Sequence, residues 1–105
     1  MSMPAPLIET NRKVLLFVAG NESNSITALT NLNRLRESLP GGYVIDLEVV
    51  DVLVQHPVAL ERRILVTPCL VLVHPLPEVM IVGSLTDLDK VRMALRLPAD
   101  ARRHG

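Results

Sequence analysis

The sequence predicts a single α/β domain in which a strand–helix–strand unit precedes a helix, two strands and a last helix. The chain has 105 residues, which is the size of one domain. Hydrophobic residues make up 49% of it, enough to build a core. Short apolar runs, typical of buried strands, alternate with stretches in which apolar residues recur every three or four positions, typical of helices. Aromatic residues make up only 2%, so we expect a core of Leu, Val and Ile.

The first half predicts a β-strand, a helix and a parallel β-strand. Lys13–Val18 is a short apolar run that stops at a glycine, which favours a buried strand. Residues 24–39 carry leucines at helical spacing, with Asn24 or Ser25 as the predicted N-cap and a Pro-Gly-Gly sequence at the end. Residues 43–52 return to a strand pattern rich in valine. This order predicts a βαβ unit with a right-handed crossover.

The second half predicts a short helix and two strands. Pro57 suits the first turn of a helix over residues 57–64. Leu70–Val73 and Val79–Val82 are apolar runs of strand length. The segment between them contains two prolines two positions apart, which predicts a turn.

A last helix is predicted from Thr86 to about Leu97. Thr86 is the expected N-cap, and Asp89 three residues later completes a pattern that resembles a capping box. With this helix the element order is βαβ, α, ββ, α, which is the order of a thioredoxin-like fold. The domain is expected over residues 13–97, between a flexible arm (1–12) and a flexible tail (98–105).

Composition and motifs argue against several functional classes. Eleven basic residues balance eleven acidic ones, which is not the pattern of a nucleic-acid-binding protein. No apolar run approaches the ~20 residues that a membrane-spanning helix needs, and the first residues show no secretion pattern, so we expect a cytoplasmic protein. No phosphate-binding loop, nucleophile elbow or catalytic triad spacing is present, so the sequence does not predict an enzyme.

The single cysteine and the histidines offer little chemistry. A thioredoxin-like oxidoreductase needs a thiol pair where the first strand meets the first helix, and residues 20–25 contain no cysteine. Cys69 is either a lone redox-sensing or metal-binding thiol, or a small hydrophobic residue that begins a buried strand; the second interpretation is favoured. The three histidines lack ligands at suitable spacing, so neither a metal nor another cofactor is predicted.

The segments described above resemble the KaiB family of bacterial circadian-clock proteins. The resemblance begins with residues 16–21 and 24–33 and continues through residues 50–57, 64–68 and 75–77 to residues 81–86 and 90–91. These motifs occur in the family's order and spacing over residues 13–96.

The resemblance implies a non-enzymatic partner protein. Proteins of the KaiB family bind the ring-shaped ATPase KaiC, sequester the activator KaiA and compete with a histidine kinase that carries a KaiB-like domain. They adopt two folds: a ground state with the order βαββααβ, which forms tetramers, and a thioredoxin-like state, which binds KaiC. In the thioredoxin-like state a cis peptide bond is expected before Pro68.

Some positions depart from the family pattern. Where the family usually has basic residues, this chain has uncharged or acidic ones, namely Thr27, Glu48, Leu72, Val79 and Met80. Arg63 keeps a basic side chain on the second helix, so it is the predicted partner-binding residue. These departures predict that KaiA is not bound in the usual way.

Two further departures predict which fold the chain prefers. Ala94 and Arg96 stand where family members commonly carry Gly and Asp. Ala favours a helix over Gly by about 0.8–1.0 kcal/mol. An arginine near a helix C-terminus adds roughly 0.3–1 kcal/mol. Together with the predicted cap at Thr86 and Asp89, these residues predict the thioredoxin-like state.

Three functions remain open on the sequence. The first is a KaiB-like regulator that binds a KaiC-type ATPase, in circadian timing or a related stress adaptation. The second is a redox sensor that uses Cys69. The third is a divergent, self-assembling interaction module. Valine- and leucine-rich strands and zero net charge also predict a dimer or tetramer.

Overall fold

A computed structural model describes residues 10–98 as four strands and three helices. In chain order the elements are β1 (Asn11–Val18), α1 (Ser23–Glu37), β2 (Val44–Asp51), α2 (His56–Glu61), β3 (Cys69–His74), β4 (Val79–Val82) and α3 (Leu88–Ala94). The strands form one sheet in the order β2-β1-β3-β4. β1 pairs with β2 in parallel and with β3 antiparallel, and β4 pairs antiparallel with β3. The thioredoxin-like prediction is therefore confirmed, and Lys90–Ala94 is helical as that state requires.

The sheet is buried on both faces because its central strands are apolar throughout. Alternate residues of β1 point to opposite faces, so Val14 and Leu16 pack with α1 and α3. Leu15 and Phe17 pack on the other face, where Ala59 of α2 meets them. α2 has only six residues, so this second layer is much thinner than the first.

The first strand begins earlier than predicted. Asn11 pairs with Val44 and Arg12 with Ile45, so these two residues belong to the sheet and not to an arm. The Arg12 side chain is 5% exposed and donates to the carbonyl oxygens of Leu95 and Arg96. The remainder of the predicted arm (1–9) and of the predicted tail (99–105) lies outside the described residues.

The predicted N-cap at Thr86 is wrong. Asp87 occupies that position, and its Oδ1 accepts from the backbone N–H of Lys90 at 3.1 Å. Leu85 has φ +61 and is buried, which turns the chain just before the helix and leaves Thr86 outside it. Asp89 is consequently in the first turn, where it forms an ion pair of 2.7 Å with Arg92.

α3 also ends earlier than predicted, at Ala94. Arg96 N–H donates to Met93 O at 3.0 Å and Leu97 N–H donates to Arg92 O at 2.9 Å. This pair of bonds is the Schellman motif, which places a left-handed residue just after the helix. Arg96 takes that place with φ +54, so its charge lies beyond the helix and not within the last turn.

α2 ends in the same way. Ile64 N–H donates to Ala59 O at 2.9 Å, Arg63 N–H donates to Leu60 O at 3.1 Å, and Arg63 has φ +56. Glycine is the usual residue at such a position because it adopts positive φ without steric cost. Both of these helices therefore carry an arginine where the backbone favours glycine.

Candidate partner-binding surface

The loop that carries the thiol pair in thioredoxin-like oxidoreductases is built here around a carboxylate. Glu22 caps α1: its Oε1 accepts from Asn24 N–H at 2.9 Å and its Oε2 accepts from Ser25 N–H at 3.0 Å. These hydrogen bonds, that from Asn24 first, lower the pKa of the Glu22 carboxyl. The predicted N-caps, Asn24 and Ser25, are instead inside the helix. The backbone N–H groups of Asn24 and Ser25, which have no partner within the helix, therefore donate to the protein's own carboxylate.

Asp51 fastens this loop to the start of the α2 segment. One oxygen, Oδ1, accepts from Gly20 N–H at 3.1 Å and from Leu53 N–H at 2.9 Å. Gly20 has φ +54, and a Cβ at that position would lie 3.2 Å from Leu53 Cδ1. The β1–α1 and β2–α2 connections are thus held together at the carboxyl ends of two parallel strands.

Cys69 is inaccessible to solvent. Its side chain is 1% exposed at the start of β3, among Phe17, Val50 and Ala59. Burial raises the pKa of its thiol, which lowers the fraction of reactive thiolate. A redox sensor needs an accessible thiol of lowered pKa, so this environment supports the structural interpretation of Cys69.

Two further features were searched for in the described part of the chain, a metal-binding group and a membrane-spanning helix. Within residues 10–98, no three His, Cys, Asp or Glu side chains are grouped so that they could hold a metal ion. Over the same residues, no helix is long and apolar enough to cross a membrane.

Exposed apolar side chains gather around α2. Of the 12 large hydrophobic side chains exposed in the described chain, five lie in or beside this helix, within residues 53–66. They are Leu53, Val54, Leu60, Leu65 and Val66. We call these five residues, together with Arg63, the α2 surface. Because several exposed apolar side chains in one segment are typical of interaction sites on soluble proteins, this segment is a candidate binding surface.

The sequence pattern did not reveal this surface. Leu60 is an apolar residue of the predicted helix over residues 57–64, yet it is 77% exposed, and Leu65 is 92% exposed in the connection to β3. The helix has only six residues, which is too short to bury a whole apolar face. Ala59 is consequently its one fully buried residue.

Two arginines at the end of α2 have different surroundings. Arg62 forms an ion pair of 2.7 Å with Glu78, which precedes β4. This pair spans a hollow of about 380 Å³ that Val71 and Met80 also line. Arg63 is exposed at the left-handed turn that ends the helix, directly before the apolar residues 64–66.

The other predicted site residues lie elsewhere. Pro68 is buried just before β3, and the bond between Thr67 and Pro68 is cis, as are those before Pro75 and Pro77. Thr86, Asp89, Ala94 and Arg96 belong to α3 and its flanks, on the opposite face of the sheet from α2. Of the site residues predicted from the sequence, Arg63 is therefore the one that lies on the α2 surface.

The positions that depart from the family's basic pattern are spread over the molecule. Thr27 is exposed on α1 and Glu48 on the edge strand β2, whereas Leu72 is fully buried. Val79 is half-buried and Met80 is exposed, both on β4. They do not form one surface.

Comparison with known proteins identifies close relatives. The sequence profile of the KaiB domain matches residues 15–97. The chain is 45% identical over 83 residues to the circadian clock oscillator protein KaiB of Synechococcus elongatus, covering 78% of this chain and 79% of that protein. It is 46% identical over 83 residues to the protein of the same description from Microcystis aeruginosa, covering 78% of each chain.

Solved structures confirm the fold. The N-terminal domain of Synechococcus elongatus SasA matches with a TM-score of 0.70 at 21% identity, covering 100% of this chain and 97% of that one. Mitochondrial thioredoxin 3 from Saccharomyces cerevisiae matches with a TM-score of 0.62 at 21% identity, covering 79% and 89%. Since the profile and the relatives both span most of the sequence, the chain belongs to the KaiB family.

Proposed function

We propose that this protein is a non-enzymatic regulator that binds a KaiC-type ATPase, in circadian timing or a related stress adaptation. The observation that carries the proposal is the match of the KaiB domain to residues 15–97. It is supported by the names of the relatives, which are clock oscillator proteins. We infer that the protein acts in the cytoplasm, where a nucleotide-driven partner has ATP.

The α2 surface is the contact that we assign to the ATPase. Its apolar residues gain free energy when they leave water, at about 25 cal/mol per Å² of buried apolar area. Arg63 adds a cation at the end of α2, beside Leu65 and Val66. An arginine among apolar residues is typical of the few positions that dominate binding energy at interfaces.

A histidine kinase with a KaiB-like domain is the competitor that we propose for this contact. The SasA N-terminal domain shares the fold over the whole of this chain, so both proteins can present a similar surface. We do not expect KaiA to bind in the usual way, because Glu48 gives the exposed face of β2 a negative charge.

The absence of enzymatic activity is part of the proposal. The carboxylate of Glu22 occupies the helix start that activates a thiol in oxidoreductases, and Cys69 is buried. Insulin reduction with dithiothreitol should therefore proceed at the uncatalysed rate, and catalytic turnover would contradict this part.

Copurification with a KaiC-type ATPase tests the binding. The tagged chain is incubated with the ATPase, with and without ATP, at about 100 μM of each protein, well above a dissociation constant of a few μM. We expect a complex that the Arg63→Glu variant loses and that Arg34→Glu, a matched change on the exposed face of α1, retains. No complex in either condition would favour a self-assembling module with another role.

A further inference from the structure

The start of α2 is not held by the helix itself. α2 has six residues, and its N-cap, Gln55, makes no side-chain hydrogen bond to the helix. The bond from Ala59 N–H to the carbonyl oxygen of Gln55 is 3.5 Å long, beyond the usual range of about 2.7–3.2 Å. Isolated helices of fewer than about 12 residues are marginal in water. The position of the α2 surface must therefore be set by residues outside the helix.

Asp51, the last residue of β2, supplies much of this support. Its Oδ1 accepts from Leu53 N–H at 2.9 Å. Its main-chain carbonyl oxygen accepts from Val54 N–H at 3.0 Å and from Gln55 N–H at 2.8 Å. The three residues that lead into α2 are thus all bonded to Asp51. Two of them, Leu53 and Val54, are exposed members of the α2 surface.

The side chain of Asp51 also joins this segment to the β1–α1 loop. The same Oδ1 accepts from Gly20 N–H at 3.1 Å. Gly20 lies against the side chain of Leu53, because a Cβ on this glycine would be 3.2 Å from Leu53 Cδ1. The strand that leads into the loop, β1, is buried and paired on both sides. The carboxylate therefore ties the exposed Leu53 to the centre of the sheet.

We propose that Asp51 is a positioning residue for the ATPase contact: it holds residues 53–55, and with them the start of the α2 surface, in the arrangement that the partner binds. This inference rests on the proposed function of the α2 surface. Asp51 is half-buried and its Oδ1 is bonded to two backbone donors, so it acts through Leu53 and not by touching the partner. A surface that is in its binding arrangement for only a fraction of the time has a dissociation constant raised by the inverse of that fraction.

The far end of α2 has supports of its own. Ala59 is buried against the sheet, and the left-handed turn at Arg63 is closed by the bond from Ile64 N–H to Ala59 O. None of these contacts uses an atom of Asp51. Loss of the Asp51 side chain should therefore loosen residues 53–55 and leave the end of the helix in place.

Binding of three variants to a KaiC-type ATPase with ATP tests this role. Asp51→Ala removes both side-chain hydrogen bonds and should raise the dissociation constant at least about tenfold, as it would if the binding arrangement were present a tenth of the time. Asp51→Asn keeps an oxygen acceptor and forms the same turn, so it should recover most of the lost affinity. Asp46→Ala removes a carboxylate from an exposed position of the same strand and should have no effect. Native affinity in Asp51→Ala, or equal losses in any two of the variants, would overturn the proposal.

Amide hydrogen exchange of the free chain, measured by NMR, separates this inference from the proposed function. In Asp51→Ala the N–H groups of Gly20 and Leu53 should exchange at least about tenfold faster than in the native chain, whereas that of Ile64 should change little. Unchanged exchange at Leu53, or an equal acceleration at Ile64 from a general loss of stability, would overturn the positioning role even if the native chain binds the ATPase. Faster exchange at Leu53 together with a native chain that does not bind would contradict the proposed function, and the role assigned to Asp51 would fall with it.

Discussion

The guanidinium of Arg12 at the start of β1 is bonded to the end of α3: its Nε lies 2.8 Å from the carbonyl oxygen of Leu95. A second nitrogen lies 2.7 Å from Arg96 O. The last carbonyls of a helix have no partner within the helix; this buried cation provides one for Leu95, the C-cap residue of α3, and for Arg96 just beyond it. The contact joins residues 83 positions apart and closes the domain between its first strand and its last helix.

Loss of this contact should destabilise the fold. Arg12→Ala leaves the buried Leu95 carbonyl without its charged donor, which costs about 1.5–3 kcal/mol of unfolding free energy. Arg12→Lys should recover less than half, because lysine lacks the planar fork. Lys13→Ala, at the exposed neighbouring position, should change stability by less than about 0.5 kcal/mol. Urea denaturation of the three variants measures these differences, and equal losses at positions 12 and 13 would contradict the assignment.

The cap at Glu22 should make stability depend on pH. The folded-state pKa of this carboxyl is lowered, so its stabilising effect is present above the unfolded value near 4.5 and is lost as pH falls through the folded value. Glu22→Gln cannot titrate. We expect the melting temperature of the native chain to exceed that of the variant at pH 7 and to converge with it near pH 3. A difference that is constant between pH 7 and pH 3 would show that the carboxylate charge does not stabilise the helix.

The left-handed position at Arg96 should prefer glycine to alanine. Arg96→Gly and Arg96→Ala both lose the hydrogen bond from the guanidinium to Pro75 O, which is 2.7 Å long. Only the alanine variant keeps a Cβ at φ +54, which costs roughly 1–2 kcal/mol. The glycine variant should therefore be the more stable of the two by about that amount in chemical denaturation. Equal stabilities would mean that the turn relaxes when the guanidinium is removed.

The balance between the two family folds should respond to Ala94 and Arg96. Ala94→Gly lowers the helix propensity of the last residue of α3 by about 1 kcal/mol. Arg96→Asp removes the hydrogen bond to Pro75 O rather than a charge within the last turn of the helix. We expect NMR of the double variant to show a new set of resonances from the ground-state fold. A single set of resonances would contradict this account of the fold preference.

Cys69 should react slowly in the folded protein. The thiol is 1% exposed and its pKa is raised by burial, so both access and thiolate content are low. Reaction with Ellman's reagent at pH 8 should be at least about 100-fold slower than in 6 M guanidinium. Comparable rates in the two conditions would restore the redox-sensor hypothesis.

The periodic apolar runs were sufficient to predict the order of strands and helices, because burial on a sheet or helix face leaves a regular pattern. They did not predict the ends of the helices. Glu22 caps α1 although Ser and Asn are the more common capping residues, and Asp87 replaces Thr86 because the backbone turns at Leu85. These choices depend on backbone angles that tertiary packing sets.

The candidate surface was predictable only in part. Arg63 was predicted from the family resemblance, because that resemblance points to individual positions, and its role in binding stays a prediction. The exposure of Leu60 and Leu65 was not foreseen, since an apolar residue at helical spacing normally indicates burial. It follows from the shortness of α2, which the sequence did not define to within a turn: residues 57–64 were predicted and His56–Glu61 is observed.

Binding of the labelled chain to a KaiC-type ATPase in the presence of ATP, followed by fluorescence anisotropy, tests the central claim most directly. The account predicts saturable binding with a micromolar or lower dissociation constant. Leu65→Lys, at a 92% exposed position of the α2 surface, should weaken binding at least tenfold. Ile26→Lys, at a 53% exposed position on α1, should leave it unchanged. No saturable binding up to about 100 μM, or equal weakening by both variants, would contradict the account.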